Sequence, residues 1–208
     1  MARVSGPLHS DTASGTFAKS MTFSHWKGRP YVRECVTPSN PRFPKQVGVR
    51  AMMGFLAKAW ATIGASPKAS WLEAATARGI SAFNEFVGQN LKRWQNWQAP
   101  TKTSPAAESS SANVVTTQTL TGGVGQVNIT LAWTTNAHDW GVAILRSTAE
   151  ITAPDWTQCV GVVPPTAAGA LTYVNSPLTA ATYHYRCVIL NDDGKVGTVH
   201  ADATAVVT

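Results

Sequence analysis

The spacing of apolar residues changes character twice along this chain. Up to residue 45 it is short and broken. Residues 1–15 are mostly small and polar, punctuated by Gly6-Pro7 and Ser14-Gly15, and predict an extended arm. Residues 16–23 alternate, with Phe17, Met21 and Phe23 sharing a face with Lys19; 31–36 predict a second short strand, and 24–30, with Trp26 and Pro30, a loop between them. One such hairpin alone is marginal in water. Pro38, Pro41 and Pro44 exclude helix interior and central strand over 37–44.

From 46 to 63 the step becomes three and four. Val49, Met52, Met53, Leu56, Trp60 and Ile63 form one amphipathic stripe, with Gly64 as the expected stop. A second helix begins at Ser66-Pro67, or is capped by Ser70 with Glu73 in a capping box, and ends at Gly79. Ser81 opens a third, with Phe83, Phe86, Val87, Leu91 and Trp94 on one side. Three helices of this length make a unit of marginal independent stability. Residues 96–112, with Pro100, Pro105 and Ser109-Ser110-Ser111, predict a flexible linker.

Beyond the linker the period returns to two. Short strands are predicted at 113–120, 126–133, 141–147, 158–163, 170–174, 182–191, 196–200 and 203–207, separated by Gly122-Gly123, Gly125, 136–139, Pro164-Pro165 and Gly169. In the sixth, Tyr183, Tyr185, Cys187 and Ile189 alternate with His184, Arg186 and Val188. Leu178 ahead of Tyr183 suggests a corner in which a tyrosine hydroxyl bonds to upstream backbone. Trp133 at the end of the second strand, the Leu178/Tyr183/Tyr185 corner and the Asn191-Asp192-Asp193-Gly194 hairpin resemble a fibronectin type III or immunoglobulin-like sandwich. The expected class is α+β and multi-domain: an extended N-terminal arm (1–45) with a β-hairpin, a small three-helix unit (46–95), a linker (96–112) and an all-β immunoglobulin-like (fibronectin type III-like) sandwich (113–208), with Trp133, Leu178, Tyr183, Tyr185 and Cys187 in its core.

Composition sharpens this picture. Of 208 residues 44% are hydrophobic, enough for a real core, and only 13% are charged, against a usual share of about 25%. Such a surface suits a chain covered by neighbours. Residues 1–100 hold 13 Lys and Arg against 4 Asp and Glu, and residues 101–208 hold 4 against 7, which suggests two modules in different surroundings. The basic charges are spread along the chain and form no run, so an acidic protein surface attracts them as well as phosphate does, and nucleic acid is the weaker reading. The series Arg29, Arg33, Arg42 and Arg50 is either an interfacial salt-bridge set or a phosphate-facing strip, and the first is favoured because nothing frames a groove-fitting element. Eight tryptophans serve as core and subunit anchors, or as stacking platforms for bases or sugars.

Candidate chemistry is sparse. His9, His25, His138, His184 and His200 are scattered, with no HExxH; there is no GxSxG, P-loop or helix-opening GxGxxG. The chain is expected to be no enzyme and to need no cofactor or metal. Asp192-Asp193 suggests calcium, but without a third nearby carboxylate a solvated hairpin tip is the preferred reading. His138-Asp139-Trp140 is a ligand-facing loop or a loop whose tryptophan covers the sandwich end; Trp140 and Trp156 are the candidate surface-binding residues. Cys35, Cys159 and Cys187 have no metal spacing. Cys159 and Cys187 either face each other within the sandwich or are reduced core residues. The start lacks a signal-peptide core and no apolar run approaches membrane-spanning length, so assembly in a reducing cytoplasm is expected.

An aromatic, proline-broken arm cannot bury itself and needs a partner. Phe17, Met21, Phe23, Trp26, Arg29, Tyr31, Arg33, Arg42 and Arg50 are the expected docking residues. The stretch Phe23-Ser24-His25-Trp26-Lys27-Gly28-Arg29-Pro30-Tyr31-Val32-Arg33, with Pro38-Ser39-Asn40-Pro41, the Arg50 helix and 81–91, resembles a group of small tailed-bacteriophage virion proteins over residues 16–95. That resemblance implies a non-enzymatic virion component assembled in the host cytoplasm. It would be a capsid-associated decoration or minor protein, docked through its N-terminal half on capsid or tail subunits in a symmetric array and displaying its immunoglobulin-like module. The alternatives are a tail, neck or baseplate adaptor buried between subunits, and a carbohydrate-binding accessory with weak affinity for host-surface glycans or proteins.

Overall fold

The structure is a computed structural model that describes residues 2–3 (as backbone), 14–36, 43–111 and 113–208. The chain divides into two compact units, 1–41 and 42–208. Its described residues are mixed α and β, with three α-helices and antiparallel sheets.

The first unit is a four-stranded antiparallel sheet, where a single hairpin was expected. Strands β1 (Ala2–Arg3), β2 (Gly15–Phe17), β3 (Met21–Trp26) and β4 (Arg29–Glu34) lie in the order β1-β4-β3-β2. The predicted strand over 16–23 is broken by a turn at Ala18 and Lys19, both at positive φ (47° and 55°) and closed by Ser20, whose N–H and hydroxyl both donate to Phe17 O at 2.9 and 3.2 Å. The predicted loop over 24–30 shrinks to Lys27-Gly28, at φ 49° and 73°. Two positive φ values in a two-residue connection match the right-handed twist of the flanking strands, so pairing runs up to Trp26 and resumes at Arg29.

In the second unit, α1 (Pro44–Thr62) starts at a proline, which loses no helical bond in the first turn. α2 (Ala65–Thr76) has no side-chain cap: Ser70 Oγ donates to Pro67 O at 2.7 Å and accepts from Ser104 N at 3.0 Å, so neither serine caps it, while Pro67 lies in its first turn as expected. α3 (Ala82–Gln95) is capped by Ser81, whose Oγ accepts from Asn84 N at 3.2 Å.

The β part has seven strands: β5 (Thr117–Gly123), β6 (Gln126–Ala132), β7 (Asp139–Ser147), β8 (Cys159–Val163), β9 (Ala170–Asn175), β10 (Ala181–Asn191) and β11 (Ala203–Val207). A three-stranded sheet, β5-β6-β9, faces a four-stranded one, β11-β10-β7-β8. Residues 196–200 form no strand. Gly197 N donates to Ile189 O and Thr198 N to Asn113 O, both at 2.8 Å, so the segment is shared between two neighbours and builds no ladder.

The helices do not stand apart from the sheets. The four-stranded sheet is the middle layer and buries both faces. Val142, Ile144, Cys187 and Ile189 face the three-stranded sheet, in one core with Trp133, Tyr183 and Tyr185. Ala143, Leu145, Val188 and Leu190 face the helices, in a second core with Met52, Leu56, Phe86 and Trp94. Cys159 belongs to the helix side and Cys187 to the sandwich side, which removes the reading in which they face each other; both are free thiols. Burial pushes the Cys159 thiol up to about 12.

The predicted linker is also pinned. Asn90, fully buried, donates to Thr101 O at 3.1 Å and accepts from Thr101 N at 2.7 Å; Trp71 Nε1 donates to Lys102 O at 2.7 Å; and Lys102 N donates to Asp192 O at 2.7 Å. Residues 96–111 are therefore a strap that ties α2 and α3 to the end of β10. Two domains joined by a linker are replaced by one layered body.

Candidate docking surfaces

Cross-strand partners in an antiparallel sheet point to the same side. In the N-terminal sheet Phe17 pairs with Met21 and Phe23 with Val32, while Thr22 pairs with Arg33, Ser24 with Tyr31 and Trp26 with Arg29. The expected docking residues thus split between two faces. Phe17, Met21 and Phe23 share one face with Val32, Pro30, His25 and Glu34; Trp26, Arg29, Tyr31 and Arg33 lie on the opposite face, with Thr22 and Ser24. Lys27 Nζ sits 4.8 Å from the Trp26 ring. Among the described residues 14–36 none is buried: Phe17 is 57% exposed and Trp26 64%. Arg50 lies on α1 of the other unit, and Arg42 lies outside the described residues, so the four arginines are not a single strip on one element.

Trp140 is not a surface residue. Opposite β10, Asp139 pairs with Asn191 and Gly141 with Leu190, so Trp140 occupies a bulge. The bulge turns its indole toward the helices, 5.2 Å edge-on from Phe55, and leaves it 9% exposed. Trp156 is half-buried in a one-turn 3-10 helix (Trp156–Gln158) whose backbone packs on Gly48 of α1. Neither offers the open ring face that sugar stacking needs. Trp60, Trp71 and Phe86 form a chain of ring contacts at 5.1 and 5.4 Å. These tryptophans are core, not platform.

Tyr183 Oη donates to Thr179 O at 3.1 Å, closing the corner ahead of β10. The Asp192-Asp193 tip is neither solvated nor open to a cation. Asp192 accepts from Lys102 Nζ and meets His138 Nδ1, both at 2.8 Å; Asp193 accepts from Ser110 N at 2.6 Å and Ser110 Oγ at 2.8 Å. Burial alone would raise the Asp193 carboxyl, but the Ser110 and Lys195 donors outweigh it and hold it below the ordinary value. Among the described residues no group of three His, Cys, Asp or Glu could hold a metal, and no helix is long and apolar enough to cross a membrane.

A second surface is absent from the sequence reading. A groove of about 420 Å³ lies between α1 and β8, with Phe55, Trp140 and Tyr173 among its lining residues. Its signals in the sequence were Gly54 inside a helix and Pro164-Pro165 closing a strand, which marks a sheet edge.

No family model matches the sequence, and no curated protein matches it. Solved structures give weak likenesses. The PKD domain of an M14-like peptidase from Thermoplasmatales archaeon SCGC AB-540-F20 is 12% identical, with 46% of this chain and 92% of that one covered at a TM-score of 0.29. A superoxide reductase (neelaredoxin) from Ignicoccus hospitalis is 12% identical, with 47% and 81% covered at a TM-score of 0.27.

Proposed function

We propose that this chain is a non-enzymatic structural protein of a tailed-phage particle, docked through its N-terminal sheet on capsid subunits and carrying residues 43–208 as a displayed body. The β part of that body is an immunoglobulin-like module of fibronectin type III kind. The three-on-four sheet arrangement, Trp133 between the sheets and the Tyr183 corner support that assignment.

One observation carries the docking role. One face of the N-terminal sheet groups Phe17, Met21, Phe23 and Val32 beside His25 and Glu34, the other groups Trp26 and Tyr31 with Arg29 and Arg33, and none of its described residues is buried. Among the described residues no second layer covers this sheet and Phe17, Met21 and Trp26 are exposed; exposed apolar area of this kind marks interaction sites. A partner subunit supplies the missing layer, and arginine with tryptophan on the other face suits a desolvated contact. Partner subunits also account for the low charged fraction of the whole chain.

The test is incorporation. Removing residues 1–41 is expected to abolish co-sedimentation with assembled particles while the remaining chain keeps its thermal transition. Normal incorporation of the truncated chain would end the docking assignment. Burial of the body inside the particle, read by loss of labelling at exposed Lys92, would move the chain to a neck or tail connector.

A further inference from the structure

The groove beside α1 follows a sheet edge. Val160, Gly161, Val162, Val163 and Pro164 all line it. Successive strand residues point to opposite faces, so a cavity that touches five in a row runs along the edge of the strand and not over a face. β8 is the last strand of its sheet, and among the described residues no strand pairs with its outer side. Such an edge presents a row of backbone donors and acceptors ready to pair.

The other wall is helical. Arg50, Gly54, Lys58 and Thr62 line it at four-residue spacing. At about 1.5 Å per residue they span roughly 18 Å, close to the roughly 16 Å of five extended residues at about 3.3 Å each. Strand edge and helix therefore bound a slot that fits about one five-residue extended segment, the geometry used when a peptide adds a strand beside a helix.

Two further features point to the occupant. A Cβ on Gly54 would meet nothing within 4 Å, so the fold of this chain gives no steric reason for glycine there. Glycine inside a helix costs about 1 kcal/mol relative to alanine, and here its effect is to keep the slot open. Arg50 and Lys58 flank it one turn away on either side, no acidic residue lines the groove, and Lys58 has no ion-pair partner among the described residues.

We propose that this groove takes an extended segment of a partner protein, added as a strand to the free edge of β8, with apolar side chains along its apolar lining and a carboxylate facing Lys58. The site is independent of the N-terminal sheet, and its test does not depend on that sheet's role.

A displayed library of random seven-residue peptides is selected on the full-length chain and counter-screened on its Gly54→Trp variant. Enriched peptides are expected to alternate apolar residues, to carry Asp or Glu and to lack central proline. As free labelled peptides they should lose affinity roughly tenfold on Gly54→Trp, which fills the slot, and on Lys58→Glu, which reverses its charge. Lys58→Glu is an exposed substitution and serves if the tryptophan variant fails to fold; on it, selection should turn to peptides with Lys or Arg. Three results overturn the proposal: no enrichment over the counter-screen, enriched peptides that bind both variants as tightly as the parent, or dodecanoate filling the slot without displacing them.

Discussion

Gly141 makes room for Phe55: a Cβ built on the glycine would lie 2.9 Å from Cζ of that ring and 3.0 Å from Cε2. The glycine belongs to β7 and the ring to α1, so the helix rests on bare strand backbone. Gly141→Ala is expected to destabilise the chain by about 1–3 kcal/mol through overpacking, and Phe55→Ala by about 3–5 kcal/mol through the cavity it leaves. The two effects should not add. With the ring gone the extra methyl has space, so the double variant should be no less stable than Phe55→Ala alone. Urea unfolding of the four proteins of the cycle measures that coupling.

The same packing sets what can fold by itself. In the fragment 113–208 the helix-facing side of the middle sheet, with Trp140, Ala143, Leu145, Val188 and Leu190, would lie open. This fragment is expected to aggregate or to bind hydrophobic dyes, whereas 43–208 should be monodisperse and unfold in one transition. Size-exclusion chromatography with thermal melting separates the outcomes. A stable monomeric 113–208 would mean that the helical layer is dispensable.

That layer left a trace in the sequence that strand counting passes over. Val142-Ala143-Ile144-Leu145 and Cys187-Val188-Ile189-Leu190 are unbroken apolar runs, the mark of strands covered on both sides. Grouping Val188 with His184 and Arg186 treated a two-sided strand as one-sided. The existence of the three helices, the cap at Ser81 and the Tyr183 corner were legible because each rests on local spacing, but the stripe of α1 was not wholly so: Met53 is exposed, and Phe55, outside the expected stripe, is buried. The turn at Ala18-Lys19 was not, since neither residue signals positive φ. Trp140 was misplaced because the strand was expected to start at 141, leaving it in a loop, whereas β7 starts at Asp139 and a bulge set by the partner strand turns the ring to the helices. The slot beside β8 joins two segments about a hundred residues apart, and only the fold brings them together.

The strap gives a further expected outcome. Asn90 satisfies both backbone groups of Thr101 in a buried setting. Asn90→Ala leaves an N–H and a C=O without partners and should cost about 1–3 kcal/mol. Limited proteolysis should then cut within 96–111, a stretch expected to resist in the parent chain. Unchanged cleavage kinetics would mean the strap is held by its other bonds alone.

Acid sensitivity follows from two carboxylates with lowered affinity for protons. Asp193 is held below its ordinary value, despite burial, by Ser110 and Lys195; Glu85 is held down by the Gln89 amide bond and then by Arg78, against the cost of burial. In the unfolded chain these groups titrate near their ordinary values, about 3.9 and 4.3. The unfolded state therefore binds more protons just below those values. Their contribution is complete above about pH 5.5 and drains away as the pH falls through the unfolded-state and then the folded-state values. Asp193→Asn should cost about 1–3 kcal/mol at pH 7, because its amide presents a donor to the Ser110 N–H or gives up a charge-assisted bond. The gap between variant and parent should narrow steadily below about pH 4. Urea unfolding at pH 7, 5, 4 and 3 reads this directly, and a gap that stays constant across the series would show that Asp193 is not held ionised by the strap.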